Sequence, residues 1–249
     1  MAPVRSDRRL RLLLAGGLGG LGLLLARAAA LVAPAQARYR RALRGEERLQ
    51  ARFPGPEAYT PPPGGRIPPD RMRAFLEVRR ALAPHVPAIE TLWRDFLAAP
   101  PAGQGRGPDW RAMGRALGGM SRASRDFNAY LEARTASLDR HGMGHGEYTW
   151  IWWAAYVGFL GERPQRVLPS SRSGDLFRER VPGQIRAMAS RCGLEAGKAG
   201  ALPLAEGLPE ALREDLAPFR QALEATRWPS CVELDLACTV KRGVWIDHQ

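Results

Sequence analysis

The stretch that decides the fold is EYTWIWWAAYVGFLG, residues 147–161. Apolar and aromatic residues fill almost every position, so a helix formed here has no polar face. A helix that is apolar on all sides is normally buried at the centre of a bundle. The alternative is a partly exposed aromatic groove, because tryptophan and tyrosine rings are apolar with one polar edge. The segment is too short to span a membrane.

Apolar residues at helical spacing occur on both sides of this stretch. They predict helices over residues 70–82, from about 84 to 97, over 109–117 and 121–141, and over 181–192 and 208–223. Pro218 should kink the last of these. The tail SCVELDLACTV, residues 230–240, fits a helix or a strand. The sequence therefore predicts a mainly α fold, an irregular bundle of about six helices.

The N-terminal residues 1–37 have the pattern of a signal peptide or a membrane anchor. Arginines precede an apolar run of fifteen residues, 12–26, which is typical of a signal peptide and is followed by a small-x-small cleavage site at 35–37. With Arg27 included, residues 12–33 reach the length of a spanning helix. Both alternatives stay open. Either one predicts membrane contact through residues 10–33 and an inner-membrane-anchored or periplasmic location in a bacterial envelope.

Residues 38–69 are predicted to be a basic, proline-rich linker, and residues 70–249 a helical domain. Seven prolines and three glycines fall within residues 53–69. Proline and glycine at this density disfavour regular structure and are typical of an extended linker. We therefore expect the folded unit to begin near Asp70.

The formal net charge of +12 is concentrated at the start of the chain, where residues 1–52 hold eleven arginines and three acidic residues. The sequence contains no nucleic-acid recognition motif, so nucleic acid is not the expected partner. Two interpretations stay open: the arginines reflect the composition of a GC-rich genome, or they contact an anionic lipid surface. The predicted lipid contacts are Arg38, Arg40, Arg41 and Arg44.

Three cysteines, Cys192, Cys231 and Cys238, are too few and too widely spaced for a disulfide scaffold. In an exported protein, one disulfide between Cys192 and either of the others is one interpretation. Three unpaired, ordinary small residues are the other.

Two histidines and a glutamate, His141, His145 and Glu147, precede the aromatic stretch and raise the question of a metal site. Two histidines four residues apart on a helix can share a metal ion, and a metal-dependent enzyme is therefore the alternative function. However, Gly142, Gly144 and Gly146 favour a turn over a helix. The preferred interpretation is a helix end at Gly142, a tight turn and a new helix with Glu147 in its first turn.

Two segments of the sequence resemble parts of a known group of proteins. They are MRAFLEVRRAL, residues 72–82, and HGMGHGEYTWI, residues 141–151. The second has the form Gly-Met-x-x-x-Glu-Tyr-x-Trp. Together they resemble a group of uncharacterised bacterial envelope proteins with an N-terminal export segment and a small helical domain. The resemblance implies compartment and helical fold but no activity. It marks Met143, Glu147, Tyr148 and Trp150 as candidate binding residues.

No serine-histidine-aspartate set, phosphate loop or dinucleotide glycine pattern occurs in the sequence. We therefore expect no catalytic residues and no cofactor. The predicted function is a non-enzymatic binding or scaffold role, with an envelope protein or an apolar ligand as the partner.

Overall fold

The computed structural model describes residues 37, 39–98, 110–163, 179–195, 197 and 201–237. Within these residues the regular structure is helical and no strand occurs, so the predicted mainly α bundle is confirmed. The helices are α1 (39–52), α2 (Pro69–Leu82), α3 (Val86–Ala98), α4 (Trp110–Arg140), α5 (His145–Trp152), α6 (Val181–Arg191), α7 (Glu210–Leu216), α8 (Arg220–Ala225) and α9 (Val232–Ala237).

Helix α4 differs from the prediction because it is one helix of 31 residues. The sequence suggested two helices separated near Gly118 and Gly119. Glycine lowers helix stability by about 1 kcal/mol but does not remove a backbone hydrogen bond as proline does, so the helix continues.

Prolines, by contrast, interrupt the helices where the sequence predicts it. A 3-10 turn at Ala83–His85 joins α2 to α3, and another at Ala217–Phe219 joins α7 to α8 across Pro218. The predicted last helix is thus interrupted at Pro218 by this turn. The ambiguous tail is helical as far as it is described, with a 3-10 turn at Pro229–Cys231 followed by α9.

Residues 39–69, predicted as a linker, are instead part of the packed structure. Helix α1 buries Ala42 and Leu49 against the domain, and the proline-rich segment that follows buries Ile67 in the same core. The proline-rich segment is irregular, as predicted, but it lies on the domain surface. The prediction failed because the apolar residues of this region are few and are surrounded by arginine and proline. Residues 39–69 therefore belong to the folded unit.

The aromatic stretch lies at the centre, as predicted from its lack of a polar face. Helix α5 is continued by a π-helix, Trp153–Phe159, and from His145 to Val157 every residue except Glu147 is buried. This placement confirms core packing and excludes the exposed-groove interpretation for Trp150, Trp152 and Trp153.

Two predictions concern residues outside this description. Among the described residues, no helix has both the length and the apolar character needed to cross a bilayer. The predicted membrane segment 10–33 and Arg38 lie outside the described residues. Cys192 and Cys231 are both free and buried, so they do not form the disulfide considered for this pair, and Cys238 also lies outside.

Candidate functional site

The candidate site is built around the turn that joins α4 to α5. Gly142 has a left-handed backbone, with φ of 57°. Its N–H donates to Asp139 O, and the N–H of Met143 donates to Leu138 O, which is the pattern that closes a helix with glycine. Leu138 and Met143 are both fully buried and belong to the core. The predicted helix end at Gly142 is therefore confirmed, and Met143 serves in packing.

Gly144 and Gly146 have a different role, because the segment 53–59 lies directly against them. A Cβ atom at Gly144 would lie 2.6 Å from the Cβ of Phe53, and one at Gly146 would lie 2.3 Å from the Cβ of Tyr59. Both distances are too short for any side chain. The glycines in this segment thus permit one tight turn and two close approaches to the proline-rich segment.

Glu147, in the first turn of α5, binds α2 through Arg71. Nε and Nη2 of Arg71 donate to the two carboxylate oxygens at 2.6 and 2.7 Å. The same guanidinium also donates to the carbonyl oxygens of His141 and Gly142. Both side chains are only partly exposed. Arg71 therefore links α2 to the end of α4 and to the start of α5.

Tyr148 belongs to a buried polar cluster that contains an ion pair between Arg79 of α2 and Asp235 of α9. Arg79 Nη1 donates to Asp235 Oδ2 and to the Tyr148 hydroxyl, the latter at 3.0 Å. The hydroxyls of Tyr130 and Tyr148 both donate to Asp235 Oδ1, at 2.5 and 3.1 Å. Four helices thus meet at one carboxylate.

The guanidinium of Arg79 is enclosed on its remaining sides. Nη2 donates to the Thr226 carbonyl oxygen at 2.8 Å, and the rings of Trp228 and Tyr156 lie 4.3 and 5.3 Å from its central carbon. Among the described residues, Arg79 Nε has no hydrogen-bond acceptor. Burial raises the pKa of the Tyr130 and Tyr148 hydroxyls, so they keep the protons that they donate.

This cluster has the composition of a catalytic site but not the accessibility of one. Arg79, Tyr130, Tyr148 and Asp235 expose 1% of their surface or less. A reacting group must touch its substrate, and none of these groups can do so in this conformation. The arrangement instead neutralises a buried charge and joins distant parts of the chain.

His145, the first residue of α5, joins two further helices. Its Nδ1 lies 3.0 Å from Arg134 Nη2 of α4, and its Nε2 lies 2.7 Å from Glu46 Oε2 of α1. Burial, and after it the charge of Arg134, lowers the pKa of His145 despite the opposing effect of Glu46. Burial alone would raise the pKa of Glu46, but the hydrogen bond from His145 and the positive charge of Arg134 outweigh it, so the pKa is lowered.

The tryptophans complete the set of contacts made by this segment. Trp150 Nε1 donates to the Gly65 carbonyl oxygen at 3.1 Å, and Trp153 Nε1 donates to that of Pro203 at 2.7 Å. Trp150 therefore holds the proline-rich segment on the core. Trp152 packs against Trp153 and Tyr156, with ring centroids 6.4 and 5.2 Å apart.

The side chains of His141, His145 and Glu147 do not have the geometry of a metal site. Both ring nitrogens of His145 and both carboxylate oxygens of Glu147 contact other side chains, and the two residues bind different helices. The half-buried His141 lies in the turn. Within the described ranges, no three histidine, cysteine, aspartate or glutamate residues are grouped so that they could hold a metal ion.

The four candidate binding residues are placed together around the turn, but not on a surface. Met143, Tyr148 and Trp150 are fully buried, and Glu147 is partly buried in its pair with Arg71. Glu147 and Tyr148 both bind arginines of α2, and Trp150 binds the proline-rich segment at Gly65. In this conformation the motif acts as the centre of packing, and a ligand could reach only the edge of Glu147.

Sequence reasoning missed the partners of the motif, although one signal was present. Arg79 lies three residues before Leu82 and seven after Met72, which places a charge in the middle of the apolar face of α2. A charge at such a position needs a buried partner. Glu46, Arg134 and Asp235 gave no comparable signal, because their partners are distant in sequence.

An exposed row of arginines lies on α1. Arg40, Arg44 and Arg48 recur at every fourth position and are all exposed. Nε of Arg44 donates to Arg40 O, and Nε of Arg48 donates to Arg44 O, so these side chains extend towards the N-terminal end of the helix. We call these three residues the arginine row. Arg41 and Arg52 instead pair with Glu132 and Asp139 of α4.

A groove of about 620 Å³ runs between α1 and α4 beside the arginine row. Its floor consists of small residues, and its walls carry arginine and acidic side chains in equal number. They are Arg41, Arg44, Arg48, Glu47, Glu132 and Asp139. Across the described surface, Tyr39 at the start of α1 is the one large hydrophobic side chain that is exposed, at 40%.

Comparisons with family models, with curated proteins and with solved structures gave no match to this chain. The resemblance carried by residues 72–82 and 141–151 therefore stays an expectation.

Proposed function

We propose that this chain is a non-enzymatic helical domain held at a bacterial membrane, with α1 lying against the anionic lipid surface. The observation that carries the proposal is the exposed arginine row. It begins a few residues after the apolar segment 10–33, which we expect to enter or cross the membrane. Membrane attachment would thus bring these three charges to the level of the lipid headgroups.

The chemistry of α1 suits such a surface. A cationic side chain close to an anionic bilayer gains about 1 kcal/mol, so three together give a measurable but reversible attraction. Guanidinium groups also bind phosphate with two parallel hydrogen bonds. Tyr39, exposed beside Arg40, is of a residue type enriched at membrane interfaces.

Two features support a non-enzymatic role over a catalytic one. The buried ionisable groups of the core bind one another, as in the pairs of Arg79 with Asp235 and of His145 with Glu46. The groove between α1 and α4 is lined by charged and small residues, and it is not the apolar pocket typical of small-molecule sites. The expected partner is therefore a lipid headgroup surface in preference to an apolar ligand.

The test is flotation with lipid vesicles. A shortened chain starting at residue 39, first checked for helicity by circular dichroism, is mixed with vesicles that contain phosphatidylglycerol or only phosphatidylcholine. We expect binding to the anionic vesicles alone, with a decrease as salt rises through the range that screens surface charge. Replacing Arg40, Arg44 and Arg48 by glutamine should remove most of this binding.

The matched control is a second triple variant, with Arg73, Arg80 and Arg220 replaced by glutamine. These arginines are also exposed but lie on α2 and α8. The control variant therefore loses the same net charge as the first variant, but from a different surface. If both variants lose binding equally, net charge alone explains the binding, and α1 is rejected as the contact. For the full chain, recovery in the soluble fraction of fractionated cells would reject membrane attachment itself.

A further inference from the structure

The groove between α1 and α4 has two walls of opposite charge. Among its lining residues, the α1 wall carries three arginines and one glutamate, and the α4 wall carries two acidic residues and no basic one. The groove has no net charge, but its charges are separated across its width. A ligand with both a negative and a positive group is complementary to such a groove, whereas a simple anion or cation is repelled by one wall.

Contacts between the two helices hold the groove in shape. Arg41 and Arg52, one near each end of the groove, pair with acidic residues of α4. Between these pairs α1 lies directly against α4, since a Cβ atom at Gly45 would be 3.1 Å from Cγ2 of Thr135. The two helices are therefore fixed to each other beneath the groove, and its walls are in position before a ligand enters.

The arginines of the α1 wall have donors that remain available. Nε of Arg44 and Nε of Arg48 each donate to a backbone carbonyl oxygen one turn earlier in the helix. In the described part of the chain, the terminal nitrogens of these two guanidinium groups pair with no carboxylate. Guanidinium nitrogens bind phosphate oxygens through charge-assisted and often paired hydrogen bonds. The α1 wall is therefore suited to a phosphate group.

The carboxylates of the α4 wall have acceptors that remain available. Glu132 Oε1 accepts from Arg41 at 3.3 Å, and Asp139 Oδ1 accepts from Arg52. Among the described residues, the second oxygen of each carboxylate has no partner. Both carboxylates are partly exposed, so a further donor can reach them. An ionised carboxylate accepts several hydrogen bonds, and a primary ammonium donates them, which suits the α4 wall to a primary amine.

From these walls we propose that the groove binds the phosphoethanolamine headgroup of a phospholipid. The phosphate lies at Arg44 and Arg48. The ammonium lies at Glu132 and Asp139. Two carbon atoms separate these groups in the headgroup, and the axes of packed helices are about 8–10 Å apart, so one headgroup reaches the side chains of both walls. The choice of a lipid over a soluble compound rests on the proposed function, which brings α1 to the level of the headgroups.

The same walls discriminate against other headgroups. Phosphocholine has the same two charges, but its quaternary ammonium has no N–H donor for the carboxylates. Quaternary ammonium groups are usually held by aromatic rings, and none of the residues that line the groove is aromatic. Phosphatidylglycerol has a phosphate but no cation, so it leaves the α4 wall without a partner. The groove should therefore prefer the ethanolamine headgroup.

Nuclear magnetic resonance of the full chain in a non-ionic detergent tests the proposal. Lysophosphatidylethanolamine or lysophosphatidylcholine is added to the micelles, and the amide signals of Gly45 and Ala136 report on the groove. We expect a saturable shift of both signals, with about fivefold tighter binding of the ethanolamine lipid, the effect of one additional exposed ion pair. Equal binding of the two lipids, or no saturable shift, would overturn the proposal.

Free O-phosphoethanolamine distinguishes a lipid from a soluble ligand. It should shift the same two amide signals, but only at a higher concentration, because membrane attachment does not bring it to the groove. If the free compound shifts these signals and the lipid does not, a lipid ligand is rejected.

The informative variant is Glu132→Gln combined with Asp139→Asn, which removes the charge of the α4 wall. Both ion pairs are exposed, so we expect the variant to fold. It should lose the preference for the ethanolamine lipid but still bind phosphatidylglycerol vesicles, because the arginine row is intact. Loss of vesicle binding in the unaltered chain would instead reject the proposed function. A variant that keeps the ethanolamine preference would overturn the groove as the site.

The matched control is Glu77→Gln combined with Glu224→Gln. These acidic residues also form exposed pairs with arginines, but they lie on α2 and α8. The control therefore changes the net charge by the same amount and should keep the ethanolamine preference. If the control loses the preference to the same extent, net charge explains the result and the proposal is wrong.

A second variant tests the groove without changing any charge. Ala136→Leu places a larger side chain among the small residues that line the groove. We expect the Gly45 signal to lose its saturable shift with free O-phosphoethanolamine, because the added atoms occupy the space of the ligand. An unchanged shift would show that the headgroup does not enter the groove and would overturn the proposal.

Discussion

The guanidinium of Arg79 and the carboxylate of Asp235 form an ion pair at the centre of the domain, and neither side chain exposes more than 1% of its surface. Two tyrosine hydroxyls donate to the same carboxylate, which leaves Asp235 well supplied with hydrogen bonds. A buried pair of this kind has little net effect on stability when intact, but removing one partner leaves a charge without compensation.

We therefore predict that Asp235→Ala lowers the free energy of unfolding by about 3–5 kcal/mol. The double variant Arg79→Met with Asp235→Leu should lose less than Asp235→Ala alone, because no charge is left buried. Urea denaturation followed by circular dichroism measures both. Glu224→Ala, which breaks an exposed pair with Arg220, is the control and should cost less than about 1 kcal/mol. Similar losses in all three variants would contradict this account.

Trp153→Ala should destabilise the domain by about 3–5 kcal/mol, because a fully buried ring is replaced by a cavity. Glu147→Gln should cost about 1–2 kcal/mol, since the amide oxygen can still accept one bond from Arg71. Thermal denaturation distinguishes the two without knowledge of a ligand. A Trp153→Ala protein with an unchanged melting temperature would return us to the interpretation of an aromatic groove.

Gly146→Ala should destabilise by about 1–3 kcal/mol, because the added methyl group meets Tyr59 and forces the proline-rich segment away. Gly183 is an exposed glycine in α6 with open space where a Cβ atom would be. Gly183→Ala should therefore stabilise by about 0.5–1 kcal/mol through helix propensity alone. Opposite shifts of the melting temperature are the expected result. If Gly146→Ala stabilised the domain, Tyr59 could not lie against Gly146 in the folded chain.

A chain shortened to begin at residue 39 should keep the cooperative unfolding of the full domain, whereas one that begins at Ala58 should not. The second lacks Glu46 and the fully buried Leu49. Loss of one such leucine alone costs about 2–5 kcal/mol. Urea denaturation of both chains is the measurement. Equal midpoints would support the original boundary near Asp70.

In a Cys238→Ser chain, the two remaining thiols should react slowly with a thiol reagent under native conditions and rapidly in denaturant. Burial raises the pKa of both, and that of Cys231 reaches about 12, so very little reactive thiolate exists at neutral pH. Counting labelled thiols by mass spectrometry tests this. Fast labelling of Cys231 in the folded chain would place it at the surface.

The parts of the fold that sequence could predict are those determined by local signals. The lack of a polar face between Tyr148 and Val157 predicted the core, Gly142 predicted the end of α4, and Pro218 predicted a break in the regular α-helix. Each of these depends on residues within one or two helical turns.

The parts that could not be predicted depend on contacts between distant residues. Nothing near Glu46 indicates that it binds a histidine 99 positions away, so α1 was interpreted as a basic linker. Likewise, the pattern of glycines around His145 suggested a turn, but not that two of them make room for Phe53 and Tyr59. The burial of the candidate site residues depends on partners that only the structure identifies.

The contact between Arg79 and Asp235 also limits when the domain can fold during synthesis, because 156 positions separate the two residues. While the ribosome is still adding the segment between them, α2 carries a cation whose partner does not yet exist. The central polar cluster can be completed only after residue 235 has left the ribosomal tunnel. Early helices can form in the meantime, but the core stays incomplete until residue 235 is available.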